Sequence, residues 1–229
     1  ATSAATWADG DFNGDQVVDM TDFAELKANF GRQVVTFPDP QLEAAVREAI
    51  DVSEGLLTAD MVAGITDMFG HRKTFTNLEG IQYLTGVKIL LIKSPGVAVR
   101  GLHHVVSMPA LRHLQIEDCA LTDLDALTGL SQVTDLSLGG LDISDLTPIG
   151  TMASLERFSM GGCPAVEDLT PLANLPKLDS IFISQSPVSD LTPLANIDSL
   201  TSIRLPHCQV ADLSPVASMT NLTLLELSG

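Results

Sequence analysis

Asp168-Leu-Thr-Pro-Leu172 recurs as Asp190-Leu-Thr-Pro-Leu194, and again as Asp212-Leu-Ser-Pro-Val216. The step is 22 residues both times, and self-similarity at a fixed period of this size indicates a solenoid built from one repeated supersecondary unit. Between the repeated tags runs an apolar frame: Leu178, Ile181 and Ile183 followed by Ser186, then Leu200, Ile203 and Leu205 followed by Cys208. Alternation at Ile181 and Ile183 places two side chains on one face of a short strand. A single short strand cannot hide that face. Copies stacked about 4.8 Å apart form a parallel sheet with a continuous apolar interior. The Thr-Pro step reads as a helix start, with Thr170 as N-cap and Pro171 as the first helical residue. Each coil is therefore predicted to be a strand, a turn and a short helical or 3₁₀ segment on the outer face.

The frame extends upstream. Asp145-Leu-Thr-Pro-Ile149 opens a 23-residue copy with Leu155, Phe158, Met160 and Cys163; Asp123 opens a 22-residue copy with Val133, Leu136, Leu138 and Leu141. Gly101 opens another with Leu111, Leu114, Ile116 and Cys119, and Asn77 opens a looser, 24-residue copy with Val87, Leu90, Ile92 and Pro95. This pattern resembles the leucine-rich repeat. The expected class is an α/β solenoid: a right-handed coil with a parallel concave sheet over residues 71–229, in about seven coils with the last incomplete. An earlier strand near Ile65 to Phe69 is expected to begin the sheet. Composition agrees, with 45% hydrophobic residues but only 4% aromatic, as expected of a core filled by Leu, Ile and Val. Cys119, Cys163 and Cys208 all occupy the ladder position that closes the frame. They lie two coils apart, about 10 Å by strand spacing, beyond the roughly 7 Å Cα separation that a disulfide can bridge. They read as small buried core residues with neither a metal nor a disulfide role. The chain begins without Met and closes on Leu225-Glu-Leu-Ser-Gly229 without a polar cap, so it is expected to be a piece of a longer protein.

Near the start, Asp11-Phe-Asn-Gly-Asp-Gln-Val-Val-Asp-Met-Thr-Asp22 carries oxygen donors at the spacing of a twelve-residue calcium loop. Asp11, Asn13 and Asp15 stand at positions 1, 3 and 5, the Val17 carbonyl at 7, Asp19 at 9 and Asp22 at 12. Hard oxygen ligands converging on one Ca2+ would also relieve the repulsion among four carboxylates. Two departures from the EF-hand are Gln16 where glycine makes the sharp turn, and Asp rather than Glu at position 12. An amphipathic helix is expected next, with Phe23, Leu26 and Phe30 on one face and Gly31 as C-cap. A loop followed by one helix, with Asp at position 12, resembles a dockerin-type calcium repeat, here as a single copy in a module spanning 1–35. That resemblance implies calcium binding and leaves docking to a cohesin-like domain as an open alternative.

Residues 36–70 are expected to form a helical N-terminal cap. Asp39 is a natural N-cap and Pro40 sits at the first helical position; Leu42, Val46 and Ile50 recur every four residues and give an apolar face. A second short helix is expected from Thr58, with Met61 and Val62 turned inward. The run from Phe37 to Ile50 resembles the cap that precedes bacterial, internalin-like leucine-rich repeats. The resemblance implies a secreted or cell-surface protein that binds a protein or glycan through its concave sheet, and implies no catalysis.

The repeat frame predicts which residues share the concave face. One outward column is Ile89, His113, Asp135, Arg157, Ser180, Ser202 and Leu224; the next is Leu91, Gln115, Ser137, Ser159, Phe182, Arg204 and Glu226. From these, His113, Gln115, Asp135, Arg157, Phe182, Arg204 and Glu226 are the expected partner-binding residues, with Phe182 and Arg204 as anchors. The adjacent His103 and His104 are expected to diverge on an outer turn. No Ser or Cys nucleophile stands beside a base, and no P-loop, Rossmann glycine pattern or HExxH motif occurs. The column Asp123, Asp145, Asp168, Asp190 and Asp212 stacks like charges, an arrangement that hydrogen bonds to nearby backbone N–H groups would offset. A net charge of −17 and a pI of about 4.3 argue against nucleic acid and anionic membrane surfaces. No apolar run approaches a membrane span. The readings that remain are a non-catalytic extracellular interaction module, a cohesin-docking component, and an accessory region of a larger secreted enzyme.

Overall fold

The structure is a computed structural model that describes residues 10–11, 17–69 and 74–228. Among the described residues, eight strands form one sheet in strict sequence order. They are β1 (Asp67–Phe69), β2 (Ile89–Lys93), β3 (His113–Glu117), β4 (Asp135–Gly139), β5 (Arg157–Gly161), β6 (Ser180–Ser184), β7 (Ser202–Arg204) and β8 (Leu224–Glu226). Each pairs in parallel with the next at the same repeat position: Leu114 lies opposite Leu136, Leu136 opposite Phe158, Phe158 opposite Ile181 and Ile181 opposite Ile203. These residues, with the second inward column Ile116, Leu138, Met160 and Ile183, are at most 1% exposed. Each such side chain contributes roughly 1.5–3 kcal/mol by leaving water. The returning arm of every coil from Gly80 onward contains a 3₁₀ turn, as at Asp125–Leu127, Thr147–Thr151, Thr170–Leu172, Thr192–Leu194 and Ser214–Val216.

Two recurring devices turn the chain between strand and outer arm. After β3, β4, β5, β6 and β7 one residue is left-handed: Asp118 (φ 55), Gly140 (φ 60), Gly162 (φ 63), Gln185 (φ 52) and His207 (φ 58). That conformation costs a non-glycine residue about 1–2 kcal/mol. The next residue is the ladder position. There Cys119 Sγ donates to the Glu117 carbonyl at 3.2 Å, Ser186 Oγ to the Ser184 carbonyl at 3.2 Å and Cys163 Sγ to the Gly161 carbonyl at 3.8 Å. All three cysteines are free, Cys119 and Cys163 buried as expected and Cys208 only half-buried, and burial raises their thiol pKa values. On the outer arm, Asp145 Oδ1 accepts from Thr147 N at 2.7 Å, Asp168 Oδ1 from Thr170 N at 2.7 Å, Asp190 Oδ1 from Thr192 N at 2.8 Å and Asp212 Oδ1 from Ser214 N at 2.8 Å. In these four turns the aspartate just before the N-cap position binds the first N–H of the turn. The expectation of Thr170 as N-cap is corrected: Leu169 holds the N-cap position and Thr170 is the first residue of the turn. Asp binds the N–H two residues on, and this leaves the Thr-Pro pair free to fill the first turn.

The N-terminal segment contains α1 (Met20–Asn29), α2 (Pro40–Ala49) and α3 (Ala59–Val62). Leu42 and Val46 of α2 and Val62 of α3 are fully buried and join the repeat core. Asp39, 2% exposed, joins helix to solenoid. Its Oδ1 accepts from Gln41 N at 2.8 Å and Leu42 N at 3.0 Å. Its Oδ2 accepts from Thr76 N at 2.6 Å, Thr76 Oγ1 at 2.7 Å and Asn77 N at 3.1 Å. Gly80 packs so close to this segment that a Cβ would stand 2.5 Å from the Thr36 carbonyl. α1 forms where the spacing places a helix; Phe23 is 58% and Phe30 86% exposed, so neither is covered by the described residues. Gly31 has φ +83 just past the helix, as the sequence predicts for its C-terminus.

Burial by itself would raise the Asp39 carboxyl, but the bonds donated by Thr76, Leu42 and Asn77 hold it below its ordinary value. A carboxyl depressed on folding contributes stability that is complete above its unfolded value, about 3.9, and is lost as pH falls through the folded value. Asp39→Ala should lower unfolding free energy at pH 7 by roughly 3 kcal/mol, through one lost N-cap and three orphaned donors. The difference from the parent should shrink in acid; urea melts at pH 7 and pH 3 check both points.

Candidate functional site

The outward face of the sheet is built by the residues that alternate with the buried columns. His113, Asp135, Arg157 and Ser180 face one another across β3 to β6, and Gln115, Ser137, Ser159, Phe182, Arg204 and Glu226 across β3 to β8. All seven partner-binding residues expected from the frame therefore lie on one sheet face. Leu91, in the same outward column, is 3% exposed and contributes no open surface.

The charges of this face pair with their strand neighbours. Arg157 bridges to Asp135 through Nε to Oδ1 and through Nη2 to Oδ2, the latter at 2.9 Å. Burial raises the Asp135 carboxyl, but the bonds from Arg157 and Thr134 and the nearby charges of Arg157 and His113 bring it below its ordinary value. Lys93 Nζ lies 3.0 Å from Glu117 Oε2 and 3.0 Å from Asp118 Oδ2, and both bonds raise its pKa. Gln115 Nε2 donates to Glu117 Oε1, and Arg204 Nε lies 3.6 Å from Glu226 Oε2. Sequence spacing aligned these columns without revealing which charges pair. Phe182 is 38% exposed between Ser159 and Arg204, and is the aromatic ring of these outward columns, which hold mostly serine, other polar residues and paired charge.

At the other end of the chain, Asp11 and Asp22 are 3% and 2% exposed. Asp19 is the N-cap of α1: its Oδ1 accepts from Thr21 N at 2.7 Å and from Thr21 Oγ1 at 2.6 Å, while Asp22 Oδ2 accepts from Asp19 N at 2.7 Å. These bonds hold Asp19 below its ordinary pKa, the Thr21 hydroxyl most strongly. Gly10 lies against Val18, 3.4 Å from where its Cβ would stand, so the two arms of the loop meet. Asn13 and Asp15 lie outside the described residues, and Val17 is exposed. Among the described residues no group of three or more His, Cys, Asp and Glu is placed to hold a metal. Asp11 and Asp22 are carboxylate oxygen donors, the ligand type that calcium takes.

Elsewhere, the hydroxyls of Thr147, Thr170 and Thr192, and then their backbone N–H groups, hold Asp145, Asp168 and Asp190 below the ordinary carboxylate value, and the Ser214 N–H and hydroxyl do the same for Asp212. His103 and His104 do not diverge as expected: their ring centroids are 4.1 Å apart, on the 3₁₀ turn Leu102–Ser107. Among the described residues no helix is long and apolar enough to cross a membrane.

No protein-family model matches the sequence, and a search of curated proteins finds no match. Solved structures do match. Internalin C2 from Listeria monocytogenes is similar at 28% identity and TM-score 0.65, over 87% of this chain and 99% of that one. The functional domain of InlJ from Listeria monocytogenes, which includes a cysteine ladder, is similar at 18% identity and TM-score 0.60, over 84% of this chain and 46% of that one. A plant peptide hormone receptor, RGFR1, in complex with RGF2, is similar at 16% identity and TM-score 0.59, over 74% of this chain and 29% of that one. The latter two bear on fold alone. Together with the flush eight-stranded sheet, these likenesses establish an internalin-like leucine-rich-repeat solenoid.

Arg157→Ala should move the Asp135 titration, followed by carboxyl-carbon NMR, upward toward the ordinary carboxylate range. Because the arginine is mostly exposed, the same change should lower stability by no more than about 1 kcal/mol.

Proposed function

We propose that this chain is a non-catalytic interaction module that binds a protein through the concave face of its solenoid, outside the cell, with a calcium-stabilised loop and helix at its N-terminal side. The observation that carries the reading is Phe182, an exposed ring beside Arg204 in the middle of a sheet face whose remaining charges are paired. Aromatic and arginine side chains are the commonest binding hot spots. A face with few unpaired charges also has little to desolvate when a partner covers it. Likeness to internalin C2 over almost its whole length supports an interaction role. A helical cap role for residues 36–70 is supported by Asp39 and the buried faces of α2 and α3. A second reading, attachment through α1 to a cohesin-like domain, is favoured by the exposure of Met20, Phe23 and Phe30.

One capture experiment separates the two. Immobilised protein should retain a cell-surface or extracellular protein in calcium. Phe182→Ala with Arg204→Ala should reduce retention more than tenfold, the loss expected of hot-spot residues, with the melting temperature unchanged. Equal capture by that double variant would remove the concave reading. Loss on Phe23→Asp instead would select attachment through α1.

For the metal, Asp11, Asn13, Asp15, Asp19, Asp22 and the Val17 carbonyl would hold one Ca2+, which would neutralise the loop and draw its arms together. Calorimetric titration of the full chain should show one calcium site, and Asp11→Ala with Asp15→Ala should abolish it while the solenoid stays folded. Calcium binding that survived this double variant would place the ion elsewhere.

A further inference from the structure

We propose that His103 and His104 together bind one copper(II) ion on the outer arm of the solenoid. Both residues sit in the first turn of the 3₁₀ segment Leu102–Ser107. The backbone there is held from both sides. Leu102 and Val105, which bracket the pair, are 4% and 0% exposed and belong to the core. Gly101, at φ +73, starts the segment, and its carbonyl accepts from His104 N at 3.0 Å. The side chains themselves stay accessible: His103 is exposed and His104 half-buried. Among the described residues neither ring takes part in a hydrogen bond or an ion pair, so their nitrogen lone pairs are available to a metal.

The spacing of the rings selects the ion. Their centroids are 4.1 Å apart and their planes are tilted by 39°. An imidazole nitrogen binds a first-row metal at about 2.0–2.1 Å, which puts the ring centre roughly 3.2 Å from the ion. Two such rings at a right angle have centres about 4.5 Å apart, and at the tetrahedral angle about 5.2 Å. The pair therefore has to open by only about 0.4 Å for the tetragonal arrangement of copper(II), against about 1.1 Å for tetrahedral zinc. Copper(II) is also the divalent first-row ion that nitrogen ligands hold most tightly.

The surroundings favour a cation. The two positions between Leu102 and Val105 match those between Leu78 and Ile81 and between Leu124 and Leu127, which are buried in the same way. His103 therefore stands in one outer column with Glu79 on the preceding coil and Asp125 on the following one, both exposed. Their charge, in a chain of net charge −17, raises the local concentration of cations. Among the described residues no third His, Cys, Asp or Glu is placed to complete a ligand set, so water fills the remaining positions on the ion. The pair lies on the arm of its coil and away from the strands, and the inference is independent of the protein-binding and calcium readings above.

Pulsed electron paramagnetic resonance of the full chain tests this assignment. Copper(II) is supplied as its glycine complex, with excess calcium present to occupy carboxylate donors elsewhere. The parent should give the nitrogen modulation of two bound imidazoles, and competition with glycine yields its affinity. His103→Gln and His104→Gln should each reduce the signal to one imidazole and weaken copper by more than about tenfold, with the melting temperature unchanged. Zinc should bind more weakly than copper. A one-imidazole signal in the parent, or an affinity unchanged in both variants, would overturn the paired site. So would an equal loss in His113→Gln or His207→Gln, which would mean that copper collects at isolated histidines.

Discussion

The zero-offset register between successive strands is the constraint on which the molecule depends. Each coil's inward side chains stand directly over those of the coil below, so a pair of positions that could not bury itself becomes part of a continuous column. The 22-residue period allows this because the chain comes back to the same height plus one strand spacing at every turn. Where the period stretches to 23 or 24 residues the strands stay in register, and the added length is taken up in the connecting arms. Loss of register at one strand would turn its inward leucines toward water, which is why the frame tolerates changes in the arms and not in the strand.

Much of the polar sequence holds this backbone in place. The aspartates before the 3₁₀ turns, the thiols and hydroxyls of the ladder, and Asp39 all accept from or donate to main-chain groups that the fold would otherwise leave without partners. The aspartate column shows how a chain of net charge −17 tolerates stacked carboxylates: each is anchored to an N–H of its own coil, which favours the charged form more than its neighbours disfavour it. On the concave face the same economy is reached sideways, through Arg157 with Asp135 and Lys93 with Glu117 and Asp118. What is left unpaired there is chiefly serine hydroxyl and the ring of Phe182.

The N-terminal segment follows a different logic. α2 and α3 are held by burial and by one well-satisfied carboxylate. α1 exposes Met20, Phe23 and Phe30, and among the described residues its Glu25 accepts a hydrogen bond from Leu56 N.

The sequence by itself determined the solenoid, its approximate coil boundaries, the outward columns and the helix that starts at Asp39, because each follows from local periodicity and capping chemistry. The strands align in the order and register that the repeat implies, and Phe182 falls beside Arg204 as the spacing requires. Tertiary structure alone decided the rest. Asp39 reaches Thr76 and Asn77 from far along the chain, and no local pattern announces an acceptor serving two elements. The left-handed column at Asp118, Gly140, Gly162, Gln185 and His207 was hidden because only two of its five members are glycine; the stacked coils impose the turn whatever the residue. Whether Phe23 and Phe30 are covered was also left to packing: amphipathic spacing says which residues share a helix face, and only the tertiary structure says whether anything lies against it.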